Sequence, residues 1–413
     1  MPNMKKVMYV TASTPWGKGE TFIIEEVRAL RALGHQVVIV PRSPDNAVFH
    51  DKAKQLVDDS VRLPLINVKM LLLLCLYLLI DRRVWSLLRD IFICSRNVKM
   101  LIKNLSVLPK GVFIGKRFDK EEISHIHVHW GSTTATMGYI ASRISGIPWS
   151  MTLHRWDIAE NNMLKLKVAS AAFTRCIAED GRKELLGIVG DQYRDKIKII
   201  YMGVWMPEAS RSAPVSRIRS NVVIACPANL IEKKGHRYLI EACKMIAERG
   251  STDFTCLLMG DGPLQEQLVR QIEQAGLQSR FTLLGRVPHD RIMAMYRERE
   301  VDIVVLPSIV TDDKEREGIP VALMEAMGYG VPVVSTDTGG IGELITEGSG
   351  FLIEEKNADQ LAEKLELLIR EHVLRSQIGK AGQSRVAQDF DIVKNAAAIV
   401  RNFSRRSKIK LSG

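Results

Sequence analysis

Two carboxylates, Glu317 and Glu325, bracket the spacer Gly-Ile-Pro-Val-Ala-Leu-Met, and their surroundings suit a phosphorylated, hydroxyl-rich ligand. Residues 302–306 read as a buried strand, the next dozen as a polar loop, and the chain from Ile319 onward as a helix. Proline suits the first turn of a helix, where its missing N–H would be unpaired anyway. An offset of eight residues is a little over two turns, so Glu325 is expected deeper along roughly the same face. Glu317 and Gly318 then stand at the mouth, beside backbone N–H groups that attract anions. Two solvated carboxylates on an amphipathic helix could share this spacing by chance. The whole string Glu-Gly-Ile-Pro-Val-Ala-Leu-Met-Glu-Ala-Met is far more specific than the spacing.

A second anion-directed segment is Pro227-Ala-Asn229-Leu-Ile-Glu-Lys233-Lys234-Gly235-His236, which follows a strand and opens a helix. A lysine and a glycine-containing helix entry can hold a diphosphate by charge and by backbone N–H groups. Thr14-Pro-Trp-Gly17-Lys-Gly19-Glu-Thr-Phe lacks the third glycine of a dinucleotide fingerprint. It is expected to be a tight strand-to-helix turn, with Gly17 and Gly19 letting backbone approach donor phosphate or acceptor. Met259-Gly260-Asp-Gly262-Pro263 reads as a structural turn. His125, His127 and His129 alternate along one strand and point to one face. That period suggests a metal, but a straight strand alone does not make its ligands converge. No nucleophile–base pattern is present, and the only Asp-x-Asp, Asp389-Phe-Asp391, is expected far from a strand end.

Elements must bring these residues together, and 413 residues suffice for two cores on a prior of roughly 150 residues each. Hydrophobic content of 46% and charged content of 25% are those of a folded protein. Strand and helix alternate over 7–10, 21–33 and 37–40, then 123–130, 135–144 and 149–153, with further strands at 171–177 and 197–201. After a Pro/Ser-rich linker at 206–220, alternation resumes with 222–226, 235–248, 254–259, 263–275, 281–284, 290–297, 302–306 and 331–335. Such alternation predicts parallel sheets covered on both faces. The fold class is therefore α/β, with two doubly wound Rossmann-like domains, 1–205 and 221–390. The segment 391–413 is expected to form a final helix and basic tail that returns to the first domain.

Residues 65–118 break the alternation. The apolar run 70–80 is well short of the ~20 residues that span a bilayer. Around it lie Lys69, Arg82, Arg83, Arg89, Arg96, Lys99, Lys103, Lys110, Lys116 and Arg117, against Asp81 and Asp90. A basic helical insertion with apolar faces is expected to lie on an anionic membrane surface. Its alternative is an insertion simply packed on the first domain. The net charge of +11 also points to an anionic partner. Nucleic acid is not expected, because basic and aromatic residues do not interleave as single-strand binding requires. Six scattered cysteines read as reduced, mostly buried thiols. The first apolar run, 7–10, reads as a strand rather than an export signal, so a cytoplasmic location at the inner membrane face is expected.

The Glu317–Glu325 string resembles the E-x7-E motif of retaining GT-B glycosyltransferases, in particular glycosyltransferase family 4. The resemblance covers 222–385 almost throughout and the first domain in scattered motifs, with Glu20-Thr-Phe-Ile looking like members that build exopolysaccharides. It implies two domains facing across a cleft and a nucleoside diphosphate sugar as donor, with no cofactor and no metal. Glu317 would contact the donor sugar, Glu325 the ribose, and Lys234 the diphosphate. The family's usual Gly-Arg-Leu-x-x-x-Lys-Gly has Asn229 at the arginine here, which removes one fixed positive charge. Another departure is Gly339-Gly-Ile-Gly342-Glu343, where proline often precedes the Glu, and which should loosen a loop. Trp149-Ser-Met-Thr-Leu-His154-Arg-Trp-Asp157 resembles a segment whose histidine lies near the donor sugar and β-phosphate, oriented by the Asp. His127, His129 and Trp130 match a family pattern, with a cleft-side structural or acceptor role for His129. Val287, after Leu284-Gly-Arg, lies where the family binds the base through backbone groups, and the amides near Gly318 and Ile319 would stabilise the leaving diphosphate.

The function so implied is transfer of a sugar from a UDP- or GDP-linked donor to a lipid-linked glycan or saccharide acceptor in surface-polysaccharide biosynthesis. A non-catalytic membrane-peripheral or nucleic-acid-binding protein is the rival from another class, with net charge as its only support. A sugar-nucleotide epimerase or phosphorylase of the same architecture is a third reading. Release of nucleoside diphosphate only when acceptor is present separates a transferase from both.

Overall fold

Short apolar runs, the central ones buried on both faces, form twelve strands in two all-parallel sheets in the computed structural model, which describes residues 6–17, 20–119, 122–208, 221–250 and 253–403. The first sheet comprises β1 (Lys6–Thr11), β2 (Gln36–Pro41), β3 (His125–His129), β4 (Trp149–Leu153), β5 (Phe173–Cys176) and β6 (Ile197–Ile199). The second comprises β7 (Val222–Pro227), β8 (Phe254–Met259), β9 (Phe281–Gly285), β10 (Ile303–Leu306), β11 (Val333–Thr336) and β12 (Phe351–Ile353). Two compact units hold these sheets: 1–202 with 392–413, and 203–391.

The first sheet runs β2-β1-β3-β4-β5-β6 and the second β12-β11-β10-β7-β8-β9. Strand order therefore reverses direction between β1 and β3 in one, and between β7 and β10 in the other. Doubly wound sheets bind ligands beyond the carboxyl ends of their strands at that reversal. The helix Ile392–Phe403 packs in the first unit, where Ile392, Ala396, Ile399 and Phe403 join a cluster with Val7, Ile23 and Phe173. Of the expected linker 206–220, residues 209–220 lie outside the described residues, as does the tail 404–413.

Several boundaries differ from the sequence-based expectations. The strand expected at 123–130 ends at His129, because Trp130 turns into the left-handed region (φ 77°). The helix expected from Ile319 begins at Val321, with extended Pro320 before it. A residue preceding proline is disfavoured in helical geometry, which keeps Ile319 outside. Glu317 consequently stands on a loop and only Glu325 on the helix, so the two do not share a helical face. Strand β12 was not legible: three residues offer too short a pattern.

Residues 68–117 form four helices, Val68–Ile80, Arg82–Cys94, Val98–Ser106 and Leu108–Arg117. Side chains of Asn67, Asp81 and Asn97 cap the first three by accepting from Met70, Arg83 and Met100 N–H groups. Met70, Val84, Leu87 and Ile91 are buried, the last three in the first unit's core. Leu72, Leu79, Ile80, Phe92, Ile93, Val98 and Ile102 stay exposed. Arg83 is a structural residue rather than a free charge, since it pairs with Asp81 at 2.7 Å and donates to the Ile144 carbonyl. Among the described residues, no helix is long and apolar enough to cross a membrane. All six cysteines are free thiols, four of them buried.

Candidate active site

At the reversal between β7 and β10, the loops following those strands bring Lys234 and Glu317 together. Lys234 Nζ lies 2.9 Å from Glu317 Oε1, with both side chains largely buried. The lysine is aimed by a single turn of 3₁₀ helix, Glu232–Lys234, which ends at Gly235 (φ 67°). A Cβ at Gly235 would sit 1.8 Å from the Pro307 carbonyl oxygen, so only glycine lets the β7 loop lie on the β10 loop. Ile309 N–H donates to the Lys233 carbonyl and fixes the same contact. Gly339 (φ 58°) plays the matching part for Glu317, because a Cβ there would meet the Glu317 carbonyl at 2.0 Å. Gly339 thus packs closely under Glu317, while the departure itself, Gly342 in place of proline, lies beside the Asp337 carboxylate.

Glu325, the fifth residue of the helix Val321–Gly328, accepts or shares a proton with His289 Nε2 at 2.7 Å. His289 opens the helix His289–Arg297 just after Val287, so the loop that follows β9 ends beside Glu325, with Val287 partly exposed. Sequence reading gave no signal for His289. Asn229 is exposed in the β7 loop. Gly260 and Gly262 pack against 228–230, and Leu230 N–H donates to the Asp261 carbonyl at 2.8 Å, which fits the structural role expected of that turn. Gly318 is exposed and Ile319 half-buried just before the helix.

In the first unit, the reversal between β1 and β3 is occupied by Glu20, which sequence reading passed over. Its carboxylate accepts from the N–H groups of Ala12, Ser13 and Thr14 at 3.0, 2.8 and 2.7 Å, and from Trp130 Nε1 at 2.5 Å. Burial would raise its pKa, but these hydrogen bonds win and hold it below the ordinary value. The turn expected to meet a phosphate therefore gives its amides to an internal carboxylate. Gly17 is buried beside it, and Gly19 lies outside the described residues.

His154 precedes the short helix Arg155–Glu160, and its N–H donates to Asp157 Oδ2 at 2.8 Å. Asp157 is buried and so orients the turn without itself touching solvent; burial raises its pKa to about 6. The His154 ring lies 4.4 Å from the Trp130 ring and 5.1 Å from that of Phe22. Burial, then the neighbouring His129 and Arg175, lower its pKa to about 3, so the imidazole is neutral at physiological pH. Its Nε2 is buried without a protein partner.

His129 does not line a surface. It is fully buried behind His154, with Nε2 2.9 Å from Glu26 Oε1. Glu26 also accepts from Tyr9 Oη at 2.9 Å and from Arg175 Nη1 at 2.5 Å. Glu26, His127 and His129 place potential metal donors within 4.8 Å of one another. The Arg175 guanidinium already neutralises that carboxylate, and both His127 nitrogens are engaged by Ser150 and Thr152 hydroxyls. The donor set belongs to a hydrogen-bond network that holds β1, β3, β4 and β5 to the first helix, with His129 Nδ1 buried and without a hydrogen-bond partner.

Residues 212–385 match the family described as "Glycosyl transferases group 1", and 19–180 match the "Glycosyl transferase 4-like domain". The chain belongs to the family 4-like glycosyltransferases of GT-B fold. This glycosyltransferase is 40% identical over 173 residues to the putative colanic acid biosynthesis glycosyltransferase WcaL of Escherichia coli, a match covering 42% of each chain and so less than half of that relative's length. It is 28% identical, over 74% of its own length and 80% of the relative's, to an Escherichia coli enzyme named UDP-Gal:alpha-D-GlcNAc-diphosphoundecaprenol alpha-1,3-galactosyltransferase. The solved structure of Anabaena HepE in complex with UDP has the same fold, with TM-score 0.69 and 20% identity over 97% of this chain and 100% of that one.

Proposed function

We propose that this glycosyltransferase moves a sugar, with retention of anomeric configuration, from a UDP- or GDP-linked donor to a lipid-linked glycan or saccharide acceptor in cell-surface polysaccharide assembly. The observation that carries the reading is the Lys234–Glu317 pair at the strand-order reversal of the second sheet. An ammonium held there stabilises a diphosphate leaving group as charge develops on it. Glu317 positions the donor sugar, and Glu325 exchanges His289 for the ribose hydroxyls. His154, neutral and with an unpartnered Nε2, hydrogen-bonds at the sugar–phosphate junction. In the same-face reaction, the departing phosphate oxygen takes the proton of the attacking acceptor hydroxyl. The relatives named above support an acceptor in polysaccharide assembly, one of them by a name that specifies a diphosphoundecaprenol-linked saccharide.

Thermal unfolding with UDP and with GDP tests the donor half. A ligand at a hundred times its dissociation constant adds about 2.7 kcal/mol of stability. A shift with one nucleotide, absent in Lys234→Ala, is expected. No shift with either nucleotide would overturn the donor site.

Membrane attachment is part of the same proposal. Exposed Leu72, Leu79, Phe92, Ile93 and Val98 share the helical insertion with exposed Arg82, Arg89, Arg96 and Lys99. Apolar insertion together with attraction to anionic lipid binds such a surface at the interface. Neutralising Arg82, Arg89, Arg96 and Lys99 is expected to lower binding to vesicles containing phosphatidylglycerol at least tenfold, given roughly 1 kcal/mol per basic residue near the surface. Unchanged vesicle binding would refute attachment by this face. Arg83 is left intact because it anchors the insertion to Ile144.

A further inference from the structure

A cavity of about 180 Å³ opens within the first unit, beyond the carboxyl ends of β2 and β3, and it is lined by more cationic than anionic groups. Arg42 follows β2; Ser132 and Thr133 follow β3 and begin the helix Thr133–Ser145; Lys103 and Ser106 come from the helical insertion. Arg42 Nη1 donates to Thr133 Oγ1 at 2.6 Å, while its Nε is buried with no hydrogen-bond partner. Glu160 is the one carboxylate on the cavity wall among the described residues. Burial lowers the Arg42 pKa, opposed by Glu20 and Glu160. A desolvated guanidinium with an unmet donor is a strong anion ligand.

Two buried amines fix the walls. Lys110 Nζ donates to the carbonyls of Pro41, Arg42 and Leu63, at 2.7, 2.9 and 2.7 Å. Lys167 Nζ donates to those of Gly131 and Ser132, at 2.8 and 2.9 Å. The loops that carry Arg42 and Thr133 are therefore held in place before any ligand arrives. The cavity also has an apolar approach. Val98, Ile102 and Ser106 are spaced four apart on one helix and so share a face. Ser106 lines the cavity, while Ile102 and Val98 are 63% and 71% exposed.

We propose that this cavity receives the phosphate of a prenyl-phosphate-linked acceptor, with Arg42 and Lys103 as its ligands and the isoprenoid chain leaving across Ile102 and Val98. A cation-lined cavity continuous with an exposed apolar stripe matches an amphiphile with an anionic head. The assignment rests on the lipid-linked acceptor reading above and gives it a binding site separate from the donor nucleotide.

The test uses the full-length Lys234→Ala protein, in which binding of diphosphate at the donor site is weakened, and micromolar farnesyl diphosphate as the probe in calorimetric titration. One site is expected, with affinity at least tenfold weaker after Arg42→Gln and several-fold weaker after Lys103→Glu. Lys103 is exposed, so its replacement keeps the test valid if Arg42→Gln does not fold. Farnesol is expected not to bind, and inorganic pyrophosphate to bind more weakly than farnesyl diphosphate. Equal affinity for pyrophosphate would overturn the lipid assignment, and binding insensitive to both substitutions would overturn the site. Absence of farnesyl diphosphate binding, with the nucleotide-induced thermal shift of wild type intact, would sink this inference alone. Loss of the nucleotide shift as well would sink the transferase reading beneath it.

Discussion

Lys234→Ala is expected to lower kcat/KM for the sugar nucleotide by about 10²–10³-fold, mostly in kcat. That range is what removal of one preorganised donor to a developing anion costs elsewhere, roughly 2.7–4 kcal/mol. Here the lysine is held by features that leave it little freedom: a single 3₁₀ turn, a left-handed glycine and a backbone contact to the β10 loop. The effect belongs mainly in kcat because charge on the leaving diphosphate is larger in the transition state than in bound substrate. Steady-state kinetics with the nucleotide sugar selected by the thermal-shift experiment would measure it. Lys234→Arg should recover only part, since a planar guanidinium does not fit a point-charge site beside Glu317. A loss below threefold would show that the diphosphate is neutralised elsewhere, with Lys233 the first residue to examine.

The largest expected stability effect belongs to the first unit. Arg175→Met should destabilise the first unit by about 3–5 kcal/mol, the usual cost of removing one partner of a buried ion pair. Arg175 and Glu26 are both almost wholly buried, at 2.5 Å. Burial pushes the Glu26 carboxyl up, but Arg175 and then His129 outweigh it and keep the group well below the usual carboxylate range. Arg175 also donates to the carbonyls of Ile200 and Tyr201, so its loss removes the Ile200 carbonyl's side-chain donor, while Asn395 still reaches Tyr201. A fall in Tm on the order of 10 °C is expected for a unit of this size. The double variant Glu26→Gln/Arg175→Met should recover part of the loss, because no buried charge then remains unpaired. The nucleotide-induced shift carried by the second unit should persist. A single variant as stable as wild type would show that the network is dispensable.

His129 shows how this network was hidden. Its strand period and its neighbour Trp130 fitted a surface-facing pattern, yet the side chain points into the core toward Glu26, which is 103 positions away. Glu26 and Arg175 each sit within an ordinary helix or strand string, and nothing local marks them as partners. Glu20 was written in plain view before Thr21-Phe-Ile, but only the folded turn shows its carboxylate filling the amides of Ala12, Ser13 and Thr14. Arg42 likewise gained meaning only when the insertion supplied Lys103 and Ser106 to the same cavity.

The alternation of apolar strands with amphipathic helices was sufficient, by itself, to determine two doubly wound sheets, because burial on both faces imposes that pattern locally. The strings around Lys234 and Glu325 determined the family, since each is contiguous and its geometry is largely that of a strand, a glycine turn and a helix start. Tertiary structure alone decided which side chains meet: Lys234 with Glu317, Glu325 with His289, His129 with Glu26 and Arg175. These pairs span many residues and depend on strand order, which local patterning does not encode. The tertiary structure also decided that Glu317 stands on a loop, because the proline at 320 and the backbone packing at Gly339 set the helix start.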